Sequence, residues 1–358
     1  MPKIDFDREG THAEDFCRRF LQGGERPCFV MGTNRWADSI ATVADIDGFI
    51  DDFTTKTTHA GKPIFKIQSV PKNALVVSAV VLGRPLTSAQ RLSDFGLENL
   101  DYYAFRKYAK ADVAPVLFLD DFVPDYARNR KKYDWVRSLF ADQESVRIYD
   151  KLINFRISSS LAHMSGFTDC QYRQYFEDFL TISDRDEVFV DVGGYDGYTS
   201  AEFIKRYPKY QAIHFFEPEA QNIERAKQKL GNARSLTYYQ LGLSGKKDVL
   251  RFSAKGSSSS LCDDGDIRIN VDRLDDVITG PVTFIKMDIE GAERAALAGA
   301  KQTILQHRPR LAISVYHRYD DFYATPTQII SYIDDYKVYL RHYTEGVTET
   351  VMFFVPMI

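Results

Sequence analysis

One local grammar occurs twice in this chain: an apolar run, a glycine turn, a helix-like stretch and a second apolar run ending in acid. The first copy is PCFVMGTNRWADSIATVADIDGFIDDF, with Gly32 at the turn and Asp51 and Asp52 about 20 residues on. The second is DEVFVDVGGYDGYTSAEFIKRYPKYQAIHFFEPE, with Gly193, Gly194 and Gly197 at the turn and Glu217 about 20 residues further. Each copy describes a strand, a tight turn, a helix and a strand of a parallel sheet. One sheet rarely begins twice, so two α/β domains in tandem are expected, and 358 residues suffice for both.

In the first domain, ALVVSAVV (Ala74 to Val81) is a further strand, followed by LTSAQRLSDFG with Gly96 as a helix stop. The pattern then turns helical, so residues 112–183 read as a connector between an N-terminal domain (1–111) and a second domain (184–358). The second domain runs strand by strand: EVFVDV, QAIHFFE, SLTYYQLGL, VTFIKMDI, RLAISVYH, KVYLRHY and TVMFFVP. Only TEGVTE joins the last two, too short for a crossover helix, so they should pair antiparallel. A mostly parallel sheet with one antiparallel edge strand is expected. KDVLRFSAKGSSSSLCDDGDIRINVDRLDD, between the third and fourth strands, reads as a hairpin-like insert.

Composition narrows the partners. With 44 % apolar and 27 % charged residues the chain can bury a real core. The net charge is −4, and the densest basic run, RNRKKYDWVR, is short and reads as a solvated helix face. No nucleic-acid footprint is expected. Cys17, Cys28, Cys170 and Cys262 have neither metal nor disulfide spacing, which points to a reducing compartment. MPKIDFDREG does not read as a signal peptide, and no segment approaches the roughly 18 apolar residues that cross a bilayer. A cytoplasmic protein without a membrane span is expected.

The second glycine turn carries the cofactor chemistry. Glycines permit positive φ and close backbone approach, Asp191 ends the strand before them, and Glu217 is placed to grip two ribose hydroxyls. The spacing is D-x-G-x-x-x-G, not the G-x-G-x-x-G of dinucleotide binders. Acid before the glycines, acid on the next strand and no phosphate fingerprint fit S-adenosylmethionine better than NAD. Tyr195 and Tyr198 either meet a sulfonium by cation–π contact or, as is commoner for such tyrosines, pack or point to solvent.

DVGGYDGYTS, FFEPEAQN, GSSSSL, FIKMDIEGAE and RHYTEGVTETVMFFVP resemble the FkbM family of S-adenosylmethionine-dependent methyltransferases, over about residues 170–358. The resemblance implies an α/β class I methyltransferase fold, a Rossmann-like seven-stranded sheet with an antiparallel last strand. It also implies O-methylation of a sugar, glycan-precursor or similar small-molecule hydroxyl. Asp191, Gly193 and Gly197 match the first cofactor motif and Glu217 the ribose acid; Gly194–Tyr195–Asp196 replaces the family's common GAN.

FIKMDIEGAERAAL is an apolar strand interrupted by Lys286, Asp288, Glu290 and Glu293. In an extended strand Lys286, Asp288 and Glu290 project from one face, toward the open end of the sheet where ligands bind. His317, after the next parallel strand, reaches the same rim. Two arrangements stay open: Asp288 and Glu290, with His317, hold Mg²⁺ or another hard ion, or His317 or Asp288 is a general base while Lys286 pairs with the acids. Glu293 reads as a helix-dipole residue without a further role.

Ser257 to Ser260 read as pocket hydroxyls or a hairpin tip, and His342 as structural. In the first domain, Asn34 and Ala37 replace the second and third glycines of the dinucleotide fingerprint. Asn34 tolerates positive φ, so a tight turn survives in a degenerate Rossmann-like domain read as a scaffold or substrate recruiter. Two other classes compete with the methyltransferase: an NAD(P)-dependent oxidoreductase using the first domain, and a non-catalytic binding module.

Overall fold

In the computed structural model, which describes residues 6–116, 119–253, 260–261 and 267–357, the apolar runs form strands and the chain divides into two compact units. The first comprises residues 1–123, 150–170 and 343–348; the second, 124–149, 171–342 and 349–358. The stretch expected as a connector carries helices Phe122–Leu139 and Gln143–Ser158 and is divided between the units.

The first unit holds strands β1 (Cys28–Met31), β2 (Gly48–Ile50), β3 (Thr58–His59), β4 (Lys62–Phe65), β5 (Leu75–Ser78) and β6 (Glu98–Asp101). Their order is β3-β4-β2-β1-β5-β6, parallel except for the β3/β4 pair. Gly32 turns with φ +110°, but Asn34 does not take the left-handed conformation expected of it: its φ is −134°. It caps helix Arg35–Val43 instead, Oδ1 accepting from Trp36 N and Ala37 N while Nδ2 donates to Ala79 O at 3.0 Å. The amide thus takes two helix N-terminal donors that a phosphate would otherwise use. Asp51 is spent on Phe53 N, Thr54 N and Thr33 Oγ1, and Asp52 on Ile67 N and Arg91.

The second unit adds β7 (Val188–Val192), β8 (Ala212–Phe216), β9 (Leu236–Tyr239), β10 (Gly242–Leu243), β11 (Asp248–Ser253), β12 (Ser260–Leu261), β13 (Ile267–Asp272), β14 (Phe284–Met287), β15 (Arg310–Ser314), β16 (Tyr336–His342) and β17 (Thr350–Pro356). Its main sheet has seven strands in the order β16-β17-β15-β14-β7-β8-β9. β16 and β17 pair antiparallel, as their short connection requires. β17, however, also lies antiparallel against β15, so the reversed strand sits inside the sheet and β16 forms the edge. The expected strand SLTYYQLGL is two: β9 joins the main sheet, and β10 pairs with β13 in a four-stranded sheet that includes the insert. Ser257 to Ser259 and Cys262 lie outside the described residues.

β7 and β14 are fully buried neighbours at the centre, with Lys286 in register with Asp191 and Met287 with Val192. The glycine turn after β7 packs hard against protein, not only against the space a ligand would need. A Cβ on Gly193, whose φ is +73°, would lie 2.0 Å from the Asp288 carbonyl oxygen, and one on Gly194 2.2 Å from the Phe215 ring. We expect Gly193→Ala to destabilise by about 3 kcal/mol, because strain and overlap with backbone coincide; urea unfolding measures it, and a loss under about 1 kcal/mol would contradict this packing.

Candidate active site

The glycine turn is satisfied internally. Gly193 N and Gly194 N donate to Phe216 O, Gly197 N to Gly194 O, Tyr195 N to Glu217 Oε2 at 3.0 Å and Tyr198 N to Asp196 Oδ1. Asp196 also pairs with Lys229. Tyr195, left-handed at φ +49°, is 56 % exposed, and Tyr198 is exposed too. Glu217 follows β8 directly, buried, with Oε1 accepting from Glu219 N at 2.9 Å and Asn222 Nδ2 at 3.4 Å. Burial pushes its carboxyl up despite those bonds.

Asp191 is wholly buried and faces protein: Ser200 Oγ donates to Oδ2 at 2.7 Å, and Lys286 Nζ lies 3.2 Å from Oδ1. Lys286, 3 % exposed, also donates to Gly193 O at 2.6 Å and Val192 O at 3.3 Å. It therefore does not pair with the acids further along its own segment, as the sequence pattern suggested. The reason is register: Asp191 is its cross-strand partner.

The acids gather at the carboxyl ends of β14 and β15, although not as one strand face. β14 stops at Met287, and the turn passes through Glu290 at φ +56° and Gly291 at φ +96° before helix Glu293–Gly299. His317 lies among them, with Nε2 3.4 Å from Asp288 Oδ1 and 3.7 Å from Glu290 Oε2, and Nδ1 2.9 Å from Glu293 Oε1. Glu293 is 1 % exposed and also accepts from Ile289 N at 2.8 Å, so it is a partner of the imidazole and not a bystander at a helix end.

Five residues absent from the sequence reading complete the group. Tyr175 Oη donates to Asp288 Oδ2 at 2.7 Å; Tyr316 Oη lies 3.3 Å from both Asp288 oxygens and 3.4 Å from Glu349 Oε1. Gln174 Nε2 donates to Glu349 Oε2 at 2.7 Å. Asp321 accepts from the backbone N–H groups of His317 and Arg318, a further buried carboxyl behind the imidazole.

The electrostatics sort these groups. Burial opposes charge on His317, but Glu293, Asp288 and Glu290 outweigh it and hold the imidazole up to about 10. Burial also works against the Asp288 carboxylate, yet His317, Lys286 and the two tyrosine hydroxyls bring it below the usual range. Glu290 is pushed up to about 7, by burial and by Asp288, Glu293 and Glu349, against the pull of His317. Glu349 and Asp321 are likewise raised to about 7, chiefly by burial and then by Asp288 and Glu293 respectively.

Donor atoms of Asp288, Glu293 and His317 lie within 4.8 Å of one another, the one such group among the described residues. The donor set does not fit Mg²⁺, which takes near-octahedral oxygen ligands; an imidazole suits zinc, copper, iron or nickel. The imidazole Nδ1 moreover lies 2.9 Å from Glu293 Oε1, one of the carboxylates that would be its co-ligand. His342, also named by sequence, has Nδ1 on Thr350 Oγ1 at 2.8 Å between β16 and β17.

The sheet, parallel except for β17, has the Rossmann-like α/β architecture in which ligands bind beyond the carboxyl ends of the central strands, where these acids lie. Residues 191–343 match the methyltransferase FkbM domain. The 2-O-methyltransferase NoeI of Sinorhizobium fredii is 26 % identical over 162 residues, 38 % of this chain and 64 % of that protein. The chain thus spans less than two thirds of that relative. The crystal structure of methyltransferase FkbM from Methylobacillus flagellatus shares the fold over 98 % of this chain and 99 % of that one, with a TM-score of 0.75 at 22 % identity. No helix among the described residues is long and apolar enough to cross a membrane.

Removing one member of a buried pair leaves the other charge uncompensated. Lys286→Met should cost about 3–5 kcal/mol, and Lys286→Met combined with Asp191→Asn should recover most of that loss. Additive losses in denaturant unfolding would show that the pair is not coupled.

Proposed function

We propose that this protein is an S-adenosylmethionine-dependent O-methyltransferase acting on a hydroxyl of a sugar, glycan precursor or similar small metabolite. The observation that carries the reading is the strand order β15-β14-β7-β8, in which Glu217 and the Asp288–Glu290–His317 group follow the carboxyl ends of parallel strands. The residues fit the cofactor. Glu217 Oε2 accepts one backbone N–H and keeps a lone pair for a ribose hydroxyl, while the turn's N–H groups at Gly193, Gly194, Tyr195, Gly197 and Tyr198 are all engaged, leaving none of the five for a pyrophosphate. That disfavours the nicotinamide alternative, as does the Asn34 amide capping the corresponding helix of the first unit. Similarity to a 2-O-methyltransferase supports an oxygen acceptor.

Glu217 would hold the ribose and Gly193, Gly194, Tyr195 and Gly197 the wall of the cofactor site. S-adenosylmethionine, when bound, supplies an electrophilic methyl group on a sulfonium that leaves as a neutral thioether. His317, charged at neutral pH, is a donor and not the base. Asp288 is already loaded with tyrosine donors and is a weak base. Glu290 has its side chain 42 % exposed at the open end and its pKa raised to about 7, which suits a group that takes the acceptor's proton as the new O–C bond forms. Asp288 would anchor a neighbouring hydroxyl, and His317 holds both carboxylates in place. Lys286 braces the cofactor turn from beneath.

Calorimetry should show binding of S-adenosylmethionine and none of NAD⁺; the reverse result would overturn the reading. With a panel of free and nucleotide-linked hexoses, release of S-adenosylhomocysteine should report turnover, and Glu290→Gln should lower kcat about 100-fold or more with cofactor affinity kept. A binding module on this scaffold would release none.

Glu290 must be ionised to accept a proton, and its folded-state pKa is raised to about 7. The rate should therefore fall as pH drops below 7 and level off above it, a profile that Glu290→Gln abolishes. Excess chelator should leave the rate unchanged; loss with EDTA and return with Mg²⁺ would refute the metal-free arrangement.

A further inference from the structure

Tyr175 lies ahead of the matched domain, which begins at residue 191, and no motif in the chain marks it. Its backbone is left-handed at φ +73°, a region that bulky aromatic side chains rarely occupy because Cβ crowds the following carbonyl. The side chain is 5 % exposed. Such a conformation persists where the surroundings over-determine it, and those surroundings are polar and specific.

The hydroxyl donates to Asp288 Oδ2 at 2.7 Å and accepts from Gln174 Nε2 at 3.0 Å. Gln174 Nε2 donates also to Glu349 Oε2, and Tyr316 Oη stands between Glu349 and Asp288. Asp288, Tyr175, Gln174, Glu349 and Tyr316 thus close a ring of side chains. The Tyr175 ring face lies 5.4 Å from Lys286 Nζ, the group bracing the cofactor turn.

A carboxylate on a short side chain can turn about two torsions. Here Tyr175 meets one oxygen of Asp288 directly, Tyr316 lies equidistant from both, and His317 faces the other oxygen. Of the three, Tyr175 makes the shortest contact. Packing alone would need only its ring; the hydroxyl is directed at a carboxylate that still has a side-chain exposure of 21 %.

We propose that Tyr175 is a positioning residue that fixes the orientation of the Asp288 carboxylate toward the acceptor, so that the segment before the matched domain is part of the active centre. The proposal rests on the methyltransferase reading of that centre. It assigns Tyr175 no contact with either substrate.

Tyr175→Phe keeps the ring and its contact with Lys286 and removes the hydroxyl. We expect it to fold with a Tm lowered by the lost hydrogen bonds and to keep its affinity for S-adenosylmethionine. With the acceptor found in the hexose panel, kcat should fall about tenfold to hundredfold, as for a misplaced reacting group, and KM should change less. Crystal structures of both proteins should show the Asp288 carboxylate rotated in the variant. Wild-type kcat, or an Asp288 that keeps its place, would overturn the proposal. If Tyr175→Phe does not fold, Gln174→Met, which removes the donor to the Tyr175 hydroxyl, carries the same readouts. Failure of wild type to bind S-adenosylmethionine would refute the methyltransferase reading, while rotation of Asp288 would still report on positioning.

Discussion

The pairing of Lys286 with Asp191 across the two central strands is the constraint from which the rest of the second unit follows. Both charges are almost wholly removed from water, where an isolated ion is costly. A buried pair of this kind is weak evidence of stability and better read as specifying one arrangement. Only one register of β14 against β7 gives Lys286 its carboxylate and, at once, the carbonyls of Val192 and Gly193. That register presses the glycine turn onto the Asp288 carbonyl, which excludes a side chain at Gly193. It also leaves Asp288 as the first residue past the end of β14.

Because Lys286 is paired with Asp191, His317 is, among the described residues, the cation in ion-pair distance of Asp288, Glu290 and Glu293. One imidazolium does not neutralise three carboxylates, and local hydrogen bonding decides which of them ionise easily. Asp288 has two tyrosine hydroxyls and the imidazole, and it stays low. Glu290, in the left-handed turn, has an imidazole nitrogen at 3.7 Å and three acids for neighbours, and it rises to about 7. Carboxylates of the same chemistry are thereby pushed apart in acidity, which is how acid and base assignments arise within one site.

Much of the architecture was legible because it rests on local signals. Apolar runs between glycine turns mark β7, β8, β14 and β15, and the brevity of TEGVTE dictates the antiparallel pairing of β16 with β17. The insertion of β17 beside β15 was not legible, since a short connection fixes the pairing of two strands but not which of them faces the sheet. Asn34 was misread because a side chain that tolerates positive φ is also a good N-cap, and the capping alternative won. In the site, acids on one segment could be seen together, whereas partners brought by folding could not. Glu293 meets an imidazole 24 residues away, and Tyr175 meets a carboxylate 113 residues away, with no spacing rule to connect them. A mid-strand lysine could be seen to need an acid, but choosing Asp191 required the register.

On the proposed reading, the surplus of acid also has a kinetic consequence. A sulfonium would bring positive charge into a site where carboxyl groups outnumber cations, and the field there would favour the methyl donor over its neutral thioether product. The acceptor hydroxyl would give its proton to this same group of carboxyls, so that the charge brought in by the donor would remain in the site as that proton once the thioether had left. The next turnover then requires a proton to pass to solvent. Among these carboxyls Glu290 is suited to that step, since its side chain is 42 % exposed while that of Glu293 is 2 % exposed. The exposure of Glu290 and the left-handed turn that presents it belong to the same requirement: a base that must be emptied after each transfer cannot be sealed in the core with its partners.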